Sequence, residues 1–477
     1  MTRHVTRAAL AASVCLAALA SGLPSGAAAQ TLQEALVAAY SSNPTLAAAR
    51  AQLRVVDENV PQALSGWRPT VTFSGSAGYG VGDLSTRSTV ANPLTGQRTT
   101  NSIDTDRFVS SLSATVTQPL YRGGRTVAST RRAENQVLAQ RARLLATEQQ
   151  VLQDSVTAYV NLIRFQEEVR LNLNNVQVLQ RQLDATNARF RVGEITRTDV
   201  AQAESRLAGA RTTRADAEGQ VQNARAAFVR AIGLPANRLT APQPLTVAAR
   251  SSAEASQIAG LNNPAVVAAL FDEAAARDFI DVQLGVLLPS LSAQGQAFRN
   301  DNQTQPGVRS TGQQITAVLT VPLYQGGAEY SAVRQARQDA TRLRQIVDDQ
   351  RRAAIGQAIQ AWETLQSART TVDSTRVQIR AAEVALDGVQ REAVVGSRTT
   401  LDVLNAEQEL LNARVSLVRA LANTVTASYS LAQSVGRLTA RDLRLPVPLY
   451  DQEAYYRAVR DRWFGLGDYT APQAVEQ

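Results

Sequence analysis

From Trp67 to Gly80 the chain alternates Val71, Phe73, Gly75, Ala77 and Tyr79 with Thr70, Thr72, Ser74 and Ser76. Asp106 to Leu120 sets Phe108, Ser110, Leu112, Ala114 and Val116 against Ser111, Ser113, Thr115 and Thr117. Successive side chains of a strand point to opposite faces, so this period of two predicts strands over about 67–80 and 106–120. Leu291, Ala293, Gly295 and Ala297 alternate with Ser292, Gln294 and Gln296, and Ile315, Ala317, Leu319 and Val321 with Thr316, Val318 and Thr320. They predict strands over about 287–299 and 313–323. An apolar face backed by a small-polar one suits a membrane barrel, and equally a sandwich half-buried on one face.

Elsewhere the period lengthens. Val200, Ala203, Leu207, Ala210, Ala217, Val221, Ala224, Phe228 and Ala231 step by threes and fours, as do Val403, Ala406, Leu410, Ala413, Leu417, Ala420, Ala427 and Leu431. That spacing is a coiled-coil seam, and its many alanines let helices approach closely and tile a wall. Arg214 breaks the first seam where the second has Leu417. After Gly124 the chain runs to Phe190 without a proline, a helix of roughly 65 residues and about 100 Å. Helices are expected over 125–190, 197–232, 328–394 and 400–435.

These patterns occur twice. Gln118-Pro119-Leu120-Tyr121-Arg122-Gly123-Gly124 returns as Val321-Pro322-Leu323-Tyr324-Gln325-Gly326-Gly327, 203 positions later. The same offset carries Tyr159 onto Trp362, Gly193 onto Gly396, Asp199 onto Asp402 and Gly233 onto Gly436. One offset held over such a length means two copies of one unit, strand–strand–long helical hairpin. They span 30–234 and 252–436, with a linker at 235–251 and a tail at 437–477. Asn43-Pro44, in the opening helix of the first copy, reappears as Asn263-Pro264 at an offset of 220, so the loop between the strands is shorter in the second copy.

Each hairpin turns at a short segment, Arg191 to Thr196 and Val394 to Thr399. Gly193 and Gly396 supply a left-handed residue that ends one helix. Thr196 and Thr399 cap the next, with Asp199 and Asp402 three residues on. Capping alone is a complete structural account of those four residues.

Composition removes most chemistry. Residues 1–29 read as a signal peptide: Arg3 and Arg7, an apolar run from Ala8 to Ala20, and Ala27-Ala28-Ala29 before a cut. The run is too short to span a bilayer, and Val14 before Cys15 argues against lipidation. Cys15, His4 and Met1 leave with it, so the mature chain holds no Cys, His or Met. Thiolate nucleophiles, imidazole bases and ordinary zinc sites are excluded together, and neither an enzyme nor a cofactor is expected. Net charge falls from +8 to +6. Every basic residue is arginine, without interleaved aromatics, so no nucleic acid is expected as a partner. The arginines read as solvating long helices.

Four strands cannot close a membrane barrel, so a membrane reading requires several copies. The signal peptide, the duplicated unit, the two Pro-Leu-Tyr-x-Gly-Gly joints (Pro119, Gly123, Gly124; Pro322, Gly326, Gly327) and the two Gly/Thr/Asp turns resemble the TolC family of outer-membrane channels. The resemblance implies an α+β membrane protein. A homotrimer would combine a twelve-stranded outer-membrane β-barrel in lipid with a periplasmic α-helical coiled-coil barrel. It also implies a periplasmic adaptor, an inner-membrane ABC or proton-driven transporter, and exported protein or drug as cargo. By the same resemblance Val192, Gly193, Glu194, Thr196, Gly396, Ser397 and Thr399 form adaptor-docking tips. Thr198 and Asp199 match positions linked to a neighbouring arginine, here Arg398, in the closed gate, and Asp402 a carboxylate lining the constriction. Asn405 and Ala393 depart from relatives that carry a second carboxylate and a tyrosine there.

The tail concentrates Tyr450, Tyr455, Tyr456, Trp463, Phe464 and Tyr469 in an aromatic-poor chain, as a belt around the helices would. It also resembles the end of family members serving type I protein secretion, which favours that cargo over drugs. A soluble periplasmic coiled-coil scaffold is the alternative of a different class.

Overall fold

The structure, a computed structural model, describes residues 30–467 apart from 88, 92, 247–248 and 304–306. The expected signal peptide (1–29) and Tyr469 lie outside the described residues.

Three short helices come first: α1 (Leu32–Ser42), α2 (Pro44–Asp57) and α3 (Asn59–Leu64). Thr31 and Glu34 cap each other's backbone at the start of α1, which buries Leu32, Ala35, Leu36 and Ala39. Asn43 accepts from the Thr45 N–H and starts α2, with Pro44 where no N–H is needed. Trp67 falls in a 3-10 turn, Ser65–Trp67, so the first strand begins later than its pattern suggests. Then follow β1 (Thr70–Arg87), β2 (Thr100–Arg122), α4 (Arg125–Arg191) and α5 (Arg197–Ile232). The second copy gives α6 (Ser252–Asn262), α7 (Pro264–Leu284), β3 (Ser290–Asp301), β4 (Arg309–Thr320), α8 (Ala328–Val394) and α9 (Thr400–Ser434); α10 (Ala454–Val459) lies in the tail. Helices α4 and α8 are each 67 residues without a break, about 100 Å.

The strands form one antiparallel sheet in the order β1-β2-β3-β4, so β1 and β4 are open edges. Val71 pairs with Val116, Val116 with Gly295 and Gly295 with Ile315, which collects most apolar residues of the four strands on one face, with Val109, Phe298 and Val318 on the other. The first face is bare: Phe73 is 74% and Ile315 89% exposed. An exposed apolar face of this kind fits lipid. Strand β3 leaves β2 at Ser110, opposite Asp301, whereas β1 and β2 stay paired out to Arg87 and Thr100. The first hairpin therefore overhangs the second by roughly 30 Å.

The main core lies where the two copies meet. Leu36 and Tyr40 of α1, Leu46 and Leu53 of α2, Leu152 and Tyr159 of α4, Phe228 of α5, Val425 of α9 and Leu438 and Leu445 of the tail pack together. The buried Tyr159 hydroxyl donates to the carbonyl of Gln30 or Thr240, both at 2.8 Å, tying linker and N-terminal segment to α4. Its repeat partner Trp362 packs in a smaller cluster with Leu365 and Leu431. Duplication reaches single hydrogen bonds. Asn43 Nδ2 donates to the Ala231 carbonyl at 3.0 Å and Asn263 Nδ2 to that of Ser434 at 3.1 Å.

The tail lies against the helices. The Tyr450 N–H donates to Tyr40 Oη at 3.1 Å, Tyr455 Oη donates to Glu58 at 2.8 Å, and Arg460 pairs with Glu134 at 3.3 Å.

Candidate functional site

The far ends of the two hairpins carry the polar chemistry that the sequence singles out. Helix α4 ends where Gly193 takes φ 79°, and α8 where Gly396 takes φ 80°. The Glu194 N–H then bonds back to the Arg189 carbonyl at 3.0 Å, and the Ser397 N–H to that of Glu392 at 3.0 Å. The extended Thr196 and Thr399 accept the N–H of Asp199 and Asp402 at 3.3 and 3.2 Å. Each aspartate in return accepts its threonine's N–H at 3.0 Å. Both turns are thus fixed by the same two devices, a left-handed glycine and a reciprocal cap.

Their charges are arranged in opposite sense. Arg189 at the end of α4 pairs with Glu194 of its turn at 2.7 Å. At the position equivalent to Arg189, α8 carries Glu392, which pairs with Arg398 of its turn at 2.9 Å. Sequence reading overlooked Arg189 and Glu392. Comparing residues 203 apart for opposite charge, and not only for identity, would have found them. Asp199 is held below the usual carboxyl range, first by the Thr196 hydroxyl, then by its N–H, with Arg189 helping. Asp402 is lowered likewise by the Thr399 N–H and hydroxyl, with Arg398 adding to both. Both remain ionised near neutrality.

Within one chain Asp199 and Arg398 do not meet: Asp199 closes on Thr196 and Arg398 on Glu392. Thr198 is exposed beside them. Val192, Val394 and Val395 stand about four-fifths exposed around the tips. Asn405 accepts from Arg206 at 2.8 Å and joins α9 to α5. Higher up, Arg419 of α9 grips the buried Glu168 of α4 at 2.9 and 3.4 Å, a second link that the sequence did not reveal. Arg214, at the break in the first seam, turns to Glu218 of its own helix at 2.8 Å.

The joints lie at the other end of the long helices. Gly123, Gly124, Gly326 and Gly327 all have φ between 60° and 86°. At Gly123 a Cβ would strike the Gly285 carbonyl, whereas at Gly327 it would meet nothing. Pro119 lies inside β2 at a register shift, but Pro322 falls beyond β4, which ends at Thr320.

The sequence pattern of the family described as outer membrane efflux protein matches residues 35–234 and 255–437. The outer membrane efflux protein BepC of Brucella suis is 35% identical over 442 residues, covering 92% of both chains. The alkaline protease secretion protein AprF of Pseudomonas aeruginosa is 25% identical over 356 residues, 72% of each. Among solved structures, the CmeC outer membrane channel of Campylobacter jejuni superposes with a TM-score of 0.71 at 16% identity, over 90% of this chain and 89% of that one.

Proposed function

Because the chain belongs to the outer membrane efflux protein family, we propose that it is the outer-membrane exit duct of a tripartite export system, a passive homotrimeric channel for type I protein secretion. The observation that carries this reading is the four-stranded sheet, open at both edges, bare on its apolar face and continued by helices of about 100 Å. Backbone groups of an edge strand have no partner in lipid, so the sheet is stable there only when closed. Joining β4 of one copy to β1 of the next in a ring of three gives twelve strands, within the range of natural barrels. The hairpins of the three copies then line up as a periplasmic tube ending at the paired tips.

The tips form the gate. Three copies of Asp402, ionised at neutral pH, make the narrowest ring acidic and cation-attracting. Asp199 and Thr198 of one copy face Arg398 of another in the closed form, which Arg398 reaches by sharing itself with Glu392. The adaptor docks at Val192 to Thr196 and at Gly396 to Thr399, and displaces those links. The chain has no energy-coupling motif, so a partner transporter in the inner membrane drives transport.

The aromatic tail and the relative named for protease secretion favour protein as cargo. The relative named as an efflux protein favours the second reading, small-molecule efflux through the same duct. Deleting the gene separates them. Loss of a discrete exported protein with unchanged drug tolerance establishes secretion. Drug sensitivity with a normal set of secreted proteins establishes efflux.

A further inference from the structure

Helix α7 lies between two long helices, α4 on one side and α8 on the other. Its first-copy counterpart α2 packs on α4 and on the short tail helix α10, and among the described residues no second long helix packs against it as α8 does against α7. At the offset of 220, Val266 and Glu273 of α7 are buried and so are Leu46 and Leu53 of α2, but three other covered positions of α7 are bare on α2. Pro264, Ala268 and Ala275 are buried, while Pro44, Ala48 and Val55 are exposed, Val55 by 62%. One face of α2 therefore lacks the neighbour that α7 possesses.

The contact between α7 and α4 shows what that neighbour is. Asn135 of α4 donates to Asp278 of α7 at 2.7 Å, the Arg132 guanidinium lies 4.0 Å over the Phe279 ring, and Arg143 pairs with Asp272. Carrying the α4 residues forward by 203 and the α7 residues back by 220 turns these pairs into Gln338 with Glu58, Gln335 with Asn59, and Ile346 with Gln52. The first two are again complementary, an amide with a carboxylate and an amide with an amide. In the third, arginine and aspartate have been lost together, so that pair leaves no charge unmatched. Gln335 and Gln338 are exposed on α8, as Gln52 is on α2.

The geometry points to a second copy of this chain as the occupant: α2 of one subunit packs between its own α4 and α8 of its neighbour, with Glu58, one of whose carboxylate oxygens already accepts the Tyr455 hydroxyl, against Gln338 of that neighbour. The inference rests on the trimer reading above and adds its residue register. The internal α4–α7 contact is then the template for the contact between subunits.

The test is thiol cross-linking of the full chain in membranes, in a Cys15→Ser background, with a short bifunctional thiol reagent. Asn135→Cys with Asp278→Cys should link within one chain and confirms that the templating contact forms. Glu58→Cys with Gln338→Cys should give covalent dimers and trimers on a denaturing gel. Glu58→Cys with Ile346→Cys, about 12 Å further along α8, should not. Oligomers from the displaced pair, or none from Glu58/Gln338 in protein that still conducts in a planar bilayer, overturn the register while leaving the trimer intact. Monomeric, non-conducting protein overturns the trimer and with it this inference.

Discussion

Asp57, at the end of α2, is fully buried, and neither of its carboxylate oxygens has a hydrogen-bond partner. Burial pushes its pKa up to about 6; Arg141 opposes that and Glu58 adds to it. Between the ordinary carboxyl range and about 6, the folded chain holds a proton that the unfolded chain has released. Stability therefore falls as pH rises through that window. Asp57→Asn should raise the melting temperature at pH 7.5 and change it little at pH 4.5; an equal shift at both would remove the titration from the account. Glycine gives a second contrast. Gly123→Ala adds a Cβ against the Gly285 carbonyl on top of the left-handed strain of about 1–2 kcal/mol, whereas Gly327→Ala carries the strain alone. Folded yield in the membrane should drop far more for the first. The duplicated motif marks both joints as special, but not that only one is crowded, because crowding depends on Gly285, which is distant in sequence. Asp57 was equally illegible, since nothing in its neighbours announces that both oxygens end up dry.

Helices and strands differ in how far pattern reaches. The long helices end within a residue of where periodicity and the glycine turns place them, because caps are local chemistry: 191, 232, 394 and 434 against 190, 232, 394 and 435. Strand β1 instead runs to Arg87, seven residues beyond its expected end. Past Gly80 the pairing is kept by the backbone, with polar residues such as Asp83 facing Asp104, and the apolar alternation ends after Val81. The links between hairpins were hidden as well. Arg419→Ala leaves the buried Glu168 without its partner and should cost about 1–3 kcal/mol, read as a lower melting temperature. Glu168→Gln with Arg419→Met should recover most of that loss. At the turns, Thr196→Ala or Thr399→Ala removes a reciprocal cap worth about 1 kcal/mol. Faster amide exchange confined to the first turn of α5 or α9 would reveal it.

The proposed gate is a property of three chains and is absent from one. Arg398→Ala frees Glu392 and removes the proposed link to a neighbour's Asp199, so single-channel conductance in a planar bilayer should rise. Unchanged conductance would reduce Arg398 to a partner of its own helix end. The open edges of β1 and β4 carry a consequence for inheritance. Since, in the proposed ring, no copy completes its wall alone, a chain that folds yet closes the ring badly does harm beyond its own loss, by drawing sound siblings into faulty rings. In a cell expressing both forms, such an allele acts dominantly, whereas one that abolishes folding is simply silent.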